Sequence, residues 1–241
     1  MEYIMNTAHI IAMTQPFLSD DITGTPFTAE EFITYVARVS NPSNQNNTTT
    51  SAKLLKYLMK NKHYSPFEMV NIVMEINTTR DIARQILRHR SFTFQEFSQR
   101  YADPTKELGF VGRAARLQDL KNRQNSIEGV DPAIEEQWLI VQSKLVDEVQ
   151  RAYDWARHHN IAKEQARALL PEGLTTTRLY MNGSLRSYWH FVSVRHHPTA
   201  QKEVREVAEC ISNLIVQYFP ALTDAMKEMI EKNYEVAQSN H

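Results

Sequence analysis

The amino-acid sequence predicts one helix-rich domain that mixes α and β structure. Its 241 residues are enough for one large domain or two small ones. Most of the chain has apolar residues three or four positions apart, which is the spacing of amphipathic helices. One segment differs, because Val70, Ile72, Met74 and Ile76 occupy alternate positions. That period of two is typical of a half-buried strand, so the fold class is mixed.

Elements of the first half follow from local signals. Thr28 and Glu31 predict a capping box that opens a helix ending near Val39. Residues 41–50 form a polar loop. A second helix has apolar side chains on one side: Leu54, Leu55, Leu58 and Met59. Residues 78–88 return to helical spacing, and residues 92–95 alternate again, which places them on or beside a strand.

The second half is predicted to be helical after an unassigned polar stretch, residues 103–130. Asp131 and Pro132 are typical of an N-cap and a first helical residue, and the helix is expected to reach Arg157. Its apolar stripe favours a core or an oligomer interface over a cofactor site: Ile134, Trp138, Val141, Leu145 and Val149. Two further helices, about 184–196 and 199–218, are predicted to end the chain.

Composition excludes several classes of function. The net charge of −1 gives no general field for a polyanion, so nucleic acid is not an expected partner. No apolar run approaches the ~20 residues of a membrane span, and the N-terminus lacks the pattern of a signal peptide. One cysteine cannot form an intramolecular disulfide, so a cytoplasmic location is expected. The histidine pairs 158/159 and 196/197 lack zinc-ligand spacing, so no metal is predicted.

The segment RHRSFTFQEFSQRY, residues 88–101, carries the strongest chemical signal. It holds three arginines, and arginine binds phosphate and carbonyl oxygens through a planar fork. A hydroxyl and a carboxylate lie between them, which suits an anionic ligand such as a nucleotide. A solvated strand edge is the alternative, but three phenylalanines tie the segment to a core. With six glycines and no glycine-rich phosphate loop in the chain, side chains must bind any phosphate.

This segment resembles the signature of the flavin-dependent thymidylate synthases, in which RHR is followed by seven residues and a serine, here Ser98. Thr93, Gln95 and Glu96 stand where the longer signature has Ser, Asn and Glu. Further blocks resemble the family in the same order from about residue 36 to 208: ARVSN (37–41), HYSPFEM (63–69), RQILRHR (84–90), ARALLP (166–171), LRSYWHFVSVR (185–195) and TAQKEVRE (199–206).

The resemblance implies an antiparallel sheet flanked by helices and the reductive methylation of dUMP to dTMP. Methylenetetrahydrofolate is then the carbon donor, and FAD reduced by NADPH is the hydride source. The family is a homotetramer whose active sites combine residues of several subunits. A non-enzymatic nucleotide- or RNA-binding module is the alternative, which the neutral net charge disfavours.

The resemblance also implies residue roles. The FAD contacts are Ser40, His63, Ser65, Arg88, His89, Arg90, Glu96, Ser184, Arg186 and His190. The dUMP contacts are Gln85, Arg88, Glu96, Ser98, Gln99, Arg100, Arg167 and Arg195. Arg195 is the implied catalytic residue, which promotes ionisation of uracil ring nitrogen three. Cys210 lies in an apolar helical pattern, so a buried residue is predicted there and not a nucleophile.

Overall fold

The computed structural model describes residues 2–21 and 23–239. The strands are β1 (Thr7–Met13), β2 (Asn71–Thr79), β3 (Thr93–Glu96), β4 (Leu117–Gln118), β5 (Ser126–Ile127) and β6 (Thr176–Ser184). The helices are α1 (Ala29–Ala37), α2 (Ser51–Lys60), α3 (Arg80–Ile86), α4 (Pro104–Glu107), α5 (Pro132–His158), α6 (Lys163–Ala166), α7 (Leu185–Arg195), α8 (Lys202–Tyr218) and α9 (Thr223–Ser239). An antiparallel sheet has the order β1-β2-β6-β3, and β4 pairs with β5. The predicted α+β class with an antiparallel sheet is confirmed.

Strand β2 has the burial pattern that its sequence predicts. Ile72, Met74 and Ile76 are fully buried, and the residues between them are not. Strand β6 has the same alternation, with Leu179 and Met181 fully buried. The signal in residues 176–184 was therefore present in the sequence, although no strand was predicted there.

The caps of two helices confirm their predicted starts. Thr28 accepts a hydrogen bond from the backbone N–H of Glu31, whose carboxylate accepts one from the backbone N–H of Thr28. Asp131 caps α5, and Pro132 is the first residue of that helix. Both arrangements use backbone donors that a helix start leaves without a partner. Short polar capping motifs thus fix where these helices begin.

The apolar stripe of α5 separates into two parts. Val149 packs against a buried cluster that includes Tyr153. The four residues before it on the stripe are exposed: Ile134, Trp138, Val141 and Leu145. The stripe was predicted to belong to a core or to an oligomer interface, and core packing is observed for Val149 at its C-terminal end.

Two parts of the sequence prediction need correction or completion. The chain does not end with two helices, because α9 follows α8. Pro220, which starts a short 3₁₀ turn, separates the two helices. The unassigned residues 103–130 contain α4 and the paired short strands β4 and β5.

Two compact units make up the chain. The first comprises Met1–Thr7, Ile76–Arg88 and Phe94–Tyr180, and the second comprises Ala8–Glu75, His89–Thr93 and Met181–His241. The core of the first unit includes a cluster formed by Tyr153, Ala156, Ala166 and Leu170. The core of the second unit includes fully buried residues of α7 and α8: Tyr188, Phe191, Val207 and Ile211.

The prediction of one domain over residues 1–241 stays a prediction. Met1, Ile22, Asn240 and His241 lie outside the described residues. None of the helices in the described part of the chain combines the length and the hydropathy that crossing a membrane requires.

Candidate active site

The first unit contains Gln85 and Arg88, which were predicted to contact dUMP. Gln85 is half-buried on α3, and Arg88 lies exposed in the turn just after this helix. The guanidinium of Arg88 makes no hydrogen bond or ion pair with any residue that the structure describes. An exposed cation without a counter-ion is available to an anionic ligand.

Glu96 is the carboxylate of this unit that was predicted to lie at both ligands. It accepts a hydrogen bond from Arg80 at 3.1 Å and one from the hydroxyl of Thr177 at 3.0 Å. The Arg80 side chain is only 9% exposed. Burial lowers the pKa of Arg80, and the charge of Glu96 opposes that shift. These bonds fix the carboxylate on strand β3, and the sequence had not pointed to Arg80.

More cations surround this ion pair. Arg84 lies 3.8 Å from Glu96 and 3.3 Å from Glu172. Arg167 is exposed in a 3₁₀ turn and has no ion pair with a described residue, and its charge contributes to the lowered pKa of Arg80. The predicted phosphate ligand Arg167 is therefore part of a group of arginines in the first unit.

The run Ser98–Gln99–Arg100 begins in a turn after β3. Ser98 and Arg100 are exposed and line a cavity of about 380 Å³. Arg100 forms an exposed ion pair with Glu164 at 3.3 Å. Gln99 is 5% exposed, and its buried amide nitrogen has no hydrogen-bond partner among the residues that the structure describes. A buried donor without an acceptor costs free energy, so this amide nitrogen has the capacity to donate to a further acceptor.

In the second unit, His63, Ser65 and Arg186 line one cavity of about 540 Å³. All three were predicted to contact FAD. His190, also predicted for FAD, lines a cavity of about 560 Å³ together with Arg186. The structure therefore brings four predicted flavin residues to cavities that share Arg186.

Glu68 holds two of the predicted flavin residues, although the sequence analysis missed it. Its carboxylate accepts hydrogen bonds from Ser184 at 2.5 Å and from Arg186 at 2.6 Å. The bond from Ser184, followed by that from Arg186, lowers the pKa of Glu68, while partial burial opposes the shift. Ser184 also caps α7. The available signal was an acidic residue within the HYSPFEM block, which itself resembles the family.

His89 and Arg195 make direct contact in the second unit. The Nε–H of Arg195 donates to Nε2 of His89 at 2.8 Å. Burial lowers the pKa of His89 to about 4, with further lowering by the charges of Arg195 and His190. His89 is therefore neutral at pH 7, as an acceptor must be. Arg195 is the last residue of α7, where the helix dipole favours a cation.

Ser40 and Arg90 are not brought together with these groups. Ser40 is exposed in the turn after α1, and Arg90 is exposed in the turn before β3. Neither lines the cavities described above. The guanidinium of Arg90 makes no hydrogen bond or ion pair within the described ranges 2–21 and 23–239.

Cys210 is half-buried, whereas the sequence predicted a buried residue. It follows the exposed Glu209 at the edge of the buried face of α8, next to the fully buried Ile211. Burial and then the charge of Glu209 raise the pKa of the thiol. Because the thiolate is the nucleophilic form, this environment disfavours a cysteine nucleophile.

Comparisons with known proteins agree on one family. The family model described as thymidylate synthase complementing protein matches residues 24–221. A flavin-dependent thymidylate synthase of Synechocystis sp. is 43% identical over 90% of this chain and 97% of its own length. A probable flavin-dependent thymidylate synthase of Paramecium bursaria Chlorella virus 1 is 41% identical over 91% of this chain and 98% of its own length.

A solved structure has the same fold. The crystal structure of a UMP/dUMP methylase from Streptomyces cacaoi, bound with 5-Br dUMP, superposes with a TM-score of 0.77 at 23% identity. The match covers 95% of this chain and 97% of that one. The family match and the two relatives establish that the chain belongs to the thymidylate synthase complementing family, the family of the flavin-dependent thymidylate synthases.

Proposed function

We propose that this chain methylates dUMP reductively to dTMP, with methylenetetrahydrofolate as carbon donor, FAD as cofactor and NADPH as reductant. Family membership supports the reaction. The observation that carries the residue assignment is the pairing of three polar side chains. Within the described part of the chain, the buried amide nitrogen of Gln99 has no acceptor, and the exposed Arg88 and Arg167 have no counter-ion.

The first unit supplies most of the proposed groups for dUMP, and Arg195 of the second unit is the exception. The phosphate of dUMP needs charged and neutral donors, and Ser98, Gln99, Arg100 and Arg167 provide a hydroxyl, an amide and two guanidinium groups. Arg100 must exchange its ion pair with Glu164 for the ligand, at little cost because that pair is exposed. The remaining proposed dUMP contacts in this unit are Gln85, Arg88 and Glu96.

The second unit supplies most of the groups for FAD. Hydroxyl, imidazole and guanidinium groups of Ser65, His63 and Arg186 line a cavity of about 540 Å³, a volume within the range of cofactor sites. This donor set fits a ligand that has both phosphates and a polar ring system. The other proposed contacts are Ser40, Arg88, His89, Arg90, Glu96, Ser184 and His190. Bound FAD, reduced by NADPH, supplies the hydride that completes the methyl group.

Arg195 is the proposed catalytic residue. Carbon transfer to uracil requires a nucleophilic pyrimidine, and the half-buried Cys210 thiol is not activated to create one. A guanidinium placed at ring nitrogen three stabilises negative charge there, because its donors are already oriented whereas water must reorganise. Arginine also remains charged at every working pH, so the effect needs no proton transfer to the side chain.

We further propose a homotetramer whose active sites combine residues of several subunits. The exposed apolar stripe of α5 supports an interface between copies, because four large apolar side chains on one helix favour burial. The family resemblance supplies the number of subunits. The cytoplasmic location expected from the sequence is part of the same proposal.

Two measurements on the purified protein test the function. We expect a flavin absorbance spectrum and, under anaerobic conditions, dTMP formation that requires dUMP, methylenetetrahydrofolate and NADPH together. Arg90→Ala should lose FAD, because the exposed guanidinium of Arg90, which forms no ion pair with a described residue, is proposed to bind the phosphates of FAD. A colourless protein that binds RNA and makes no dTMP contradicts the proposal and favours the non-enzymatic alternative.

A further inference from the structure

The contact between Arg195 and His89 uses the Nε–H of the guanidinium group. The bond leaves from Nε at 2.8 Å, so the two terminal nitrogens of the guanidinium take no part in it. A bond at Nε restrains rotation of the guanidinium plane about the end of the side chain. The terminal nitrogens, which form the end-on edge used in bidentate recognition, are not the donors of this bond, and the bond restrains the plane in which they lie.

The surroundings of His89 suit it to accept this bond permanently. The ring packs against Phe191, with centroids 4.9 Å apart, and edge-on to Phe92 at 6.4 Å. Arg195 and His190 are the charged or titratable side chains that influence its protonation, and burial is the largest influence. All three disfavour the imidazolium form, which cannot accept a hydrogen bond. The neutral ring therefore carries its proton on Nδ1 and offers Nε2 to Arg195.

The aromatic side of this arrangement is itself fixed. Phe92 is buried and packs against Tyr188 with ring centroids 4.9 Å apart. A Cβ atom at Gly183 would lie only 2.4 Å from the Phe92 ring, so this position in β6 leaves the space that the ring occupies. Close packing of this kind restricts the position of His89 as well.

We propose that His89 is a positioning residue that holds the guanidinium of Arg195 in its working orientation. This inference rests on the proposed catalytic role of Arg195. It assigns the middle residue of the RHR triplet a task distinct from the flavin contact that the resemblance implies. The task requires a neutral acceptor at the place of Nε2, held by apolar walls.

Two substitutions at His89 separate this role from simple packing. His89→Leu gives an apolar side chain of similar size that has no hydrogen-bond acceptor. His89→Gln keeps an acceptor oxygen at about the reach of Nε2. The measurement is the single-turnover oxidation of reduced flavin with saturating dUMP and methylenetetrahydrofolate, expressed per bound flavin so that loss of FAD does not alter the rate.

We expect a rate loss of roughly 10-fold in His89→Leu, the size of one hydrogen bond to a charged group, and recovery of most of the rate in His89→Gln. In an Arg195→Ala background, His89→Leu should cause no further loss, because the group that it positions is already absent. The wild type and His89→Gln should have the same pH–rate profile between pH 5.5 and 8, since His89 stays neutral across this range.

Three results would overturn the inference. The rate per bound flavin in His89→Leu could equal that of the wild type, the two His89 variants could lose the same factor, or the losses of His89→Leu and Arg195→Ala could multiply. Each leaves the catalytic role of Arg195 intact. An unchanged rate in Arg195→Ala instead overturns that role together with the inference built on it.

Discussion

Glu96 in the first unit and Glu68 in the second each bind an arginine, but their surroundings differ. The side chains of Arg80 and Glu96 are 9% and 15% exposed, whereas those of Arg186 and Glu68 are 52% and 36% exposed. Breaking a buried ion pair costs much free energy, because the remaining charge is left without a partner and without hydration. An exposed pair can be exchanged for a ligand. The first pair therefore holds Glu96 firmly in place, whereas we propose that the second pair belongs to the binding surface for FAD.

Removal of the Glu96 carboxylate should give the largest change in stability. Glu96→Ala leaves the nearly buried cation Arg80 without its closest partner, so we expect the free energy of unfolding to fall by about 3 kcal/mol. Urea denaturation measures the loss. The matched control is Glu148→Ala, which breaks a fully exposed pair with Arg151 and should leave the free energy of unfolding almost unchanged. Equal losses in the two variants would remove the distinction between buried and exposed pairs.

Substitution at Gly183, which lies against the Phe92 ring, should give the next largest loss of stability. Gly183→Ala forces a Cβ against the Phe92 ring, so we expect a loss of about 1–3 kcal/mol and a lower single-turnover rate through displacement of His89. Gly173→Ala is the control, because nothing lies within 4 Å of its added Cβ. Thermal unfolding and the rate per bound flavin are measured together. A stable, fully active Gly183→Ala protein would show that the Phe92 ring moves aside without loss of stability or activity.

Glu68→Ala should change flavin retention more than stability. The exposed pair with Arg186 contributes at most about 1 kcal/mol, but its loss frees Arg186 from its place beside the cavity. The remaining FAD after gel filtration is the measurement. Glu68→Gln should retain more FAD, because the amide oxygen still accepts from Ser184. Full FAD occupancy in Glu68→Ala would limit Glu68 to a local structural role.

Acid should remove the small contribution of Glu68 to stability. Its folded-state pKa is lowered from 4.5 by the bonds from Ser184 and Arg186, so the contribution is present above pH 4.5 and disappears as pH falls through the folded-state value. The difference in unfolding free energy between the wild type and Glu68→Gln should therefore shrink below pH 4.5. A difference that stays constant down to pH 3 would contradict this assignment.

Cys210 should show the smallest effect. The thiol is half-buried and its pKa is raised, so Cys210→Ser should cost a little packing and leave dTMP formation intact. The steady-state rate of dTMP formation is the measurement. Loss of all turnover in a folded Cys210→Ser protein would show that the cysteine takes part in the reaction.

Sequence signals were sufficient where they act over a few residues. The cap at Thr28 and the alternation in β2 depend on neighbours in the chain, and the structure confirms both. The partners of the site residues could not be found this way. Arg80 meets Glu96 across 16 residues and Glu68 meets Arg186 across 118, distances at which local patterns carry no information. The resemblance identified residues that contact ligands, but it did not identify Arg80 and Glu68, which hold such residues in place.

The contact of His89 with Arg195 could not be predicted for the same reason. It spans 106 residues and needs a histidine that burial keeps neutral, which only the folded chain creates. Likewise, the sequence analysis missed α9, which packs against helices α7 and α8 of the second unit. Tertiary contacts decided these features, and local propensity did not.

The rate of Arg195→Ala tests the central chemical claim most directly. The measurement is single-turnover oxidation of reduced flavin, per bound flavin, with saturating dUMP and methylenetetrahydrofolate. We expect a loss on the order of 10²–10³ with FAD still bound, partial recovery in Arg195→Lys, and no loss in the control Arg123→Ala, an exposed arginine elsewhere. An Arg195→Ala protein that turns over at the wild-type rate would contradict the claim that this guanidinium activates uracil.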